Sequence, residues 1–335
     1  MTTLAPGLAS LRTRASRVDQ SGLVLGLVVI LVVFGAFTTP GFLQAGNFLV
    51  VLTFAAAPGV VAMGLAYVVL GKGIDLSVGA VAVVTAQVTL ELMNRGWSEG
   101  LAIGIVVVLA IAFGLLNGVL TAVVGVPALI VTLASGQLLL GGVKIFLLSS
   151  NLYTLPPDGI IARLGAGVWL GIAATIWCAA FVFLLSWIVW SYTAYGRLIR
   201  AIGDNIQTAK LTGAPVRPVQ VSTYVVSALL AVFAGYLIVA REGSVTTTGS
   251  AFSPLLFTAL TAVVIGGVSL SGGRGTVLGV IVGTLLIGVI TNLLTLNQVG
   301  STLQDFVRGF ALLVAIVLDA WLHPRDEETS KSGDL

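Results

Sequence analysis

Residues 68–81 read VVLGKGIDLSVGAV, a stretch that sets Lys72 and Asp75 among three glycines between two long apolar runs. Upstream, residues 20–71 contain no Asp, Glu, Lys, Arg or His, a length sufficient for two helices of about 20 residues each. Gly71 and Gly73 break the second of them, and Asp75 stands where a further apolar helix starts. An apolar helix that stops at a charged, glycine-rich turn and resumes is the pattern of a polytopic α-helical membrane protein.

The rest of the chain agrees. Hydrophobic residues make up 57% of it and charged residues 9%, and mean hydropathy is +1.10, which excludes a soluble globular domain. Cys178 is the one cysteine and His323 the one histidine, so neither an intrachain disulfide nor a His/Cys metal site is available. The charge-free intervals predict ten spans: 22–37, 48–70, 76–93, 100–124, 128–148, 166–191, 218–240, 252–270, 276–296 and 302–322. Arg12, Arg14 and Arg17 ahead of the first resemble a signal peptide, but no small-x-small cleavage site precedes Pro40, and the first span reads as an uncleaved anchor. Residues 1–21 form a cytoplasmic segment, 22–322 the transmembrane domain, and 323–335 a disordered cytoplasmic tail, acidic and Ser/Gly-containing.

With both termini inside, eleven cationic residues lie inside (Arg12, Arg14, Arg17, Lys72, Arg197, Arg200, Lys210, Arg217, Arg274, Arg325, Lys331). Five lie outside or near outer ends (Arg95, Lys144, Arg163, Arg241, Arg308), which satisfies the positive-inside rule. An eight- or nine-span arrangement with a re-entrant piece near 249–273 fits the same charges almost as well. The net charge of +3 then reflects loops facing anionic lipid, not nucleic acid.

Polar side chains on the spans are expected to face the bundle interior, because lipid offers them no partner. Asn117, Thr132, Gln137 and Asn292 are the pathway candidates, with Thr85, Gln87, Thr121 and Thr291 beside them. A neutral lining of amides and hydroxyls suits a sugar or polyol better than an ion, and interhelical hydrogen bonding would use the same groups. Asp75, Asp305 and Asp319 all fall toward span ends, so no internal group for ion coupling is evident. No phosphate-binding G-x-x-x-x-G-K-[ST] motif occurs, and no catalytic cluster, so uphill transport would draw its energy from another chain.

Residues 193–220, TAYGRLIRAIGDNIQTAKLTGAPVRPVQ, are the place to receive it. This basic loop reads as one or two short helices at the cytoplasmic face, with Asn205 as N-cap and Gly213-Ala-Pro215 as the stop. Apolar Ile199, Ile202 and Leu211 among the charges would let a protruding helix insert into a partner's groove. The opening stretch also has an echo, since residues 68–79 resemble 263–273 when one residue is skipped, as the interrupted helices of repeat-built transporters do.

Four motifs carry a family resemblance over residues 45 to 320. They are Gly73-Ile-Asp-Leu-Ser-Val-Gly79; Val126-Pro-Ala-Leu-Ile-Val-Thr-Leu133; Tyr195-Gly-Arg-Leu-Ile-Arg-Ala-Ile-Gly-Asp-Asn205 with Ala209 and Gly213; and Ala262-Val-Val-Ile-Gly-Gly267 continuing to Gly272-Gly-Arg-Gly-Thr276. Together they resemble the permease subunits of ribose-type ABC sugar importers, a type II-like importer fold. The resemblance implies a permease dimer, of two copies or of paralogues, with cytoplasmic ATPase subunits that hold ATP and magnesium and an extracytoplasmic sugar-binding protein. This chain itself would bind no cofactor.

It also implies that the 193–220 loop holds the coupling helix, with Gly196, Arg197, Ile202, Gly203, Asn205, Ala209 and Gly213 as its matching positions. Gly73, Asp75, Ser77, Gly79, Gly267, Gly272 and Gly273 mark the helix breaks. Where the family often has Glu-Leu before its Ala-Val-Val-Ile-Gly-Gly segment, this chain has Ser253-Pro254-Leu255, a departure that bears on the substrate. Asp75 reads either as a cap on the next helix, with Lys72 reaching lipid or Asp75 itself, or as a substrate contact. An ion-coupled secondary carrier of a small polar solute is the alternative function.

Overall fold

A computed structural model of the protein describes residues 20–246 and 252–322. The expected tail, His323, and nearly all of the N-terminal segment lie outside the described residues. Helices α1 (Gln20–Thr38), α2 (Ala45–Leu70), α3 (Val78–Asn94), α4 (Glu99–Ala122) and α5 (Ala128–Phe146) form the first half. A loop with β1 (Leu152–Thr154), α6 (Ile160–Ala166), β2 (Val168–Trp169) and β3 (Ile172–Ala173) leads to α7 (Ala174–Tyr192). Short α8 (Ala194–Asp204) and α9 (Ile206–Leu211) precede α10 (Val216–Glu242), β4 (Ser244–Thr246), α11 (Phe252–Ile265), α12 (Val277–Leu296) and α13 (Ser301–Leu322).

Helix α10 is the central post, packed against α2, α3 and α4. Small residues let it sit there. A Cβ at Gly114 or Gly118 of α4 would stand 2.8 Å from the Cα of Val225 or Val221, so the two backbones nearly touch. Close contact of this kind is how helices associate in lipid, where apolar surface by itself drives nothing together. In a second group, α11 and α12 pack on α2, α1 packs on α12, and α13 packs on α11 and α12.

Helices occupy all ten stretches expected to span, and by length and composition six of the described helices suffice to cross a bilayer. Helices α2, α4, α5, α7, α10 and α12 are long and apolar enough to cross a bilayer. Helix α3 has 17 residues and α11 has 14, because glycine-rich turns replace helix at 71–77 and 266–276. The sixth expected span begins later than its hydropathy indicates: residues 168–173 are a small hairpin in which Val168 pairs with Ala173 and Trp169 with Ile172.

The link between α5 and α7 is tied down. Strand β1 pairs with β4, Tyr153 opposite Val245. The Glu99 carboxylate accepts the Ile160 and Ile161 N–H groups at 2.6 and 2.8 Å, so it caps α6.

Candidate transport site

The turn after α2 does not lie flat at the helix end. Gly71 is level with Gln220, whose Nε2 donates to the Gly71 carbonyl at 3.2 Å, whereas Asp75 accepts from the Ser227 hydroxyl at 2.8 Å. Seven residues separate Gln220 from Ser227, so the chain climbs about 10 Å along α10 between those points. Ser227 is near the middle of the 27-residue α10. Non-helical backbone at that depth needs side-chain partners. Thr132 on α5 supplies one, its Oγ1 accepting from the Leu76 N–H at 3.1 Å.

Asp75 is 2% exposed, and its carboxyl accepts from the Ser77 N–H at 3.0 Å, the Ser77 hydroxyl at 2.5 Å and the Ser227 hydroxyl. The expectation that it sits toward a span end is therefore corrected: it is a helix-end residue in sequence and an interior residue in space. The cap reading is corrected as well: the N–H that Asp75 takes belongs to Ser77, one residue ahead of α3, and no N–H of the helix proper is capped by a side chain. Lys72 is exposed and forms no ion pair among the described residues. Asn117 donates from Nδ2 to the Ser77 hydroxyl at 3.1 Å. A Cβ at Gly73 would stand 2.7 Å from the Tyr224 hydroxyl, and Gly79 is buried in the first turn of α3.

The echoing break between α11 and α12 meets this turn. Gly273 donates its N–H to the Leu70 carbonyl at 2.9 Å. Gly267, Gly272 and Gly273 have φ of 79°, 87° and 75°, the left-handed region that only glycine enters freely. Between the two breaks sits Gly203, near the end of α8: a Cβ there would collide with the Leu70 carbonyl and the Gly273 N–H. The 193–220 loop is thus in main-chain contact with both interruptions.

Within that loop the expected Asn205 cap is present, and Thr193 supplies a second that sequence did not single out. Thr193 accepts from the Gly196 N–H at 3.2 Å, and Asn205 Oδ1 accepts from the Thr208 N–H at 3.0 Å. Ile202 does not protrude: it, Ile199, Gly196, Gly203 and Ala209 are all buried in this chain. Arg197, Asn205 and Gly213 are exposed, and Leu211 is 88% exposed. Burial raises the Tyr195 phenol above its ordinary value, although a 2.7 Å hydrogen bond to Ser222 opposes the rise.

At the other end a cavity of about 620 Å³ lies among α2, α3, α10, α11, α12 and α13. That volume falls in the roughly 300–1,000 Å³ range of small-molecule sites. Asn47 and Asn292 pair reciprocally on its wall, at 3.1 and 2.9 Å, and Thr291, Gln304 and Arg241 line it further. Of the four pathway candidates, Asn292 lines this cavity. Asn117 and Thr132 belong to the turn around Asp75, and Gln137 is exposed on the outside of α5.

Glu91 escaped the sequence reading. It lies on α3, 1% exposed, and accepts from Arg95 Nε at 2.6 Å, the Tyr153 hydroxyl at 2.7 Å and the Ser149 hydroxyl at 2.8 Å. The i, i+4 spacing to Arg95 was its one sequence signal. Through Tyr153 it fastens β1, hence β4, whose three residues line the cavity.

The family model for a branched-chain amino acid transport system / permease component matches residues 47–316. The ribose import permease protein RbsC of Haemophilus influenzae is 32% identical, the alignment covering 88% of this chain and 91% of that one. The fructose import permease protein FrcC of Rhizobium meliloti is 32% identical over 88% of this chain and 84% of its own length. The autoinducer 2 import system permease protein LsrC of Photorhabdus luminescens is 29% identical over 93% and 94%. No solved structure matches. With its broken helices, its capped 193–220 loop and these relatives, the chain belongs to the membrane permease family that includes the ribose-type ABC sugar import permeases.

Proposed function

We propose that this chain is the permease subunit of an ATP-driven, binding-protein-dependent importer of a sugar or small polyol in a bacterial inner membrane. Both termini are cytoplasmic, and the chain crosses ten times, with the extended 71–77 segment completing the crossing that α3 makes. It pairs with a second permease, receives solute from an extracytoplasmic binding protein, and is worked by cytoplasmic ATPase subunits that bind ATP and magnesium. The observation that carries this reading is the arrangement of 193–220: its buried side rests on both helix breaks while Leu211, Arg197, Lys210 and Arg217 face outward. An ATPase that moved this loop would move the breaks with it and rock the helices around the cavity. Within a mostly apolar lining, Asn47, Thr291, Asn292 and Gln304 give the cavity a few polar groups to orient a polyhydroxylated solute.

The second reading, an ion-coupled carrier, gains from the interior position of Asp75. One experiment separates them. In proteoliposomes containing the permease, its ATPase and its binding protein, labelled ribose or fructose is expected to accumulate only with ATP on the ATPase side. Accumulation driven by a sodium or proton gradient, with the permease alone, would replace the first reading by the second.

A further inference from the structure

Two anomalies stand side by side in the Asp75 turn. The first is electrostatic: Asp75 is a buried carboxyl whose partners are two hydroxyls and one N–H, and none of the ion pairs among the described residues includes it. A buried carboxylate is costly without a compensating charge. The second is an orphan: Asn117, 1% exposed, gives its Nδ2 to the Ser77 hydroxyl and leaves its Oδ1 buried with no hydrogen-bond partner. The opposite amide orientation does not mend this, because the Ser77 hydroxyl already donates to Asp75 and needs a donor, not an acceptor, from Asn117.

A proton on Asp75 would answer the first anomaly and leave the second. A water would satisfy Asn117 and leave the charge. A small cation answers both at once. The Asp75 carboxylate and the Ser77 and Ser227 hydroxyls gather oxygens here, the ligand chemistry of hard cations, and Asn117, whose Nδ2 reaches Ser77, carries the orphan oxygen that would complete the set. One carboxylate matches a single positive charge, whereas divalent sites of this kind gather several. Unwound backbone inside a helical bundle is also where transporters coordinate sodium.

We propose that the turn between α2 and α3 is a binding site for one sodium-class monovalent cation, held by Asp75, Ser77, Asn117 and Ser227. The cation is a counter-ion that sets the turn's conformation. It is distinct from the energy source of transport, so its binding is tested without transport.

The whole permease, purified and placed in nanodiscs, is melted while sodium chloride replaces choline chloride at constant ionic strength and pH. A saturable rise in melting temperature with sodium is expected, together with binding of one labelled sodium ion per chain. Asn117→Ala should weaken the midpoint by roughly 10–100-fold, by analogy with losses at metal sites. Thr175→Val, which removes a buried orphan hydroxyl on α7, should leave it unchanged. Asp75→Asn should abolish the response, and if that variant does not assemble, the Asn117→Ala comparison still decides. Equal melting in sodium and choline would overturn the proposal, as would a sodium response untouched by Asn117→Ala. A pH-dependent stabilisation in choline alone would overturn it by assigning a proton to Asp75.

Discussion

Thr132 shows how one hydroxyl holds a non-helical segment inside a membrane bundle. It is fully buried, and its oxygen is the acceptor for the Leu76 N–H, a donor that no helix satisfies. Thr132→Val keeps the shape and removes the acceptor, so it should cost about 1–3 kcal/mol, the penalty of a buried group left unpaired. Thermal denaturation of the purified permease measures it, and an unchanged melting temperature would mean that the turn finds another acceptor. Sequence named Thr132, Asn117 and Asp75 as residues that matter but assigned them to a pathway or a helix cap. It could not do better, because depth depends on how far the chain climbs beside α10, and composition and spacing carry no record of that climb. The same limit hid Glu91, whose partners Tyr153 and Ser149 lie 62 and 58 positions away.

Among the elements, α8 and α9 were the most legible. The Asn205 cap is local chemistry between neighbours, which survives translation into a string of letters, and Thr193 caps α8 in the same way although it was not singled out. What faces outward was not local, and Ile202 and Ala209 turned out to anchor the loop to its own chain. Two substitutions on the same short helix should therefore part company. Leu211→Glu should leave the permease's melting temperature unchanged and weaken co-purification of the ATPase, because Leu211 is exposed. Ala209→Glu should lower the melting temperature, since it forces a charge into a buried site. Intact ATPase binding by Leu211→Glu would place the partner's contact elsewhere. The 168–173 hairpin was hidden for a different reason: its apolar residues extend the hydropathy of α7 without a break, and hydropathy does not distinguish a strand from a helix.

For the molecule as a whole, charge bias and architecture agree on two ends. Lys72, the Gly203 region and Gly273 gather at one end of α10, while Glu91, β1, β4 and α6 gather at the other. The orientation is open to direct test. On a Cys178→Ser background, cysteine replacing Lys72 should be labelled by an impermeant reagent from the cytoplasmic side, and cysteine replacing Trp169 from the outside. The reverse pattern would invert the topology. The joint between Leu70, Gly203 and Gly273 then has a mechanical meaning. It is built from main chain alone, without rotamers to flex or methylenes to compress, so it behaves like a gear with no backlash. On the proposed function, displacement entering at one tooth is expected to leave at the other, and a side chain added there would collide with main chain and act as grit.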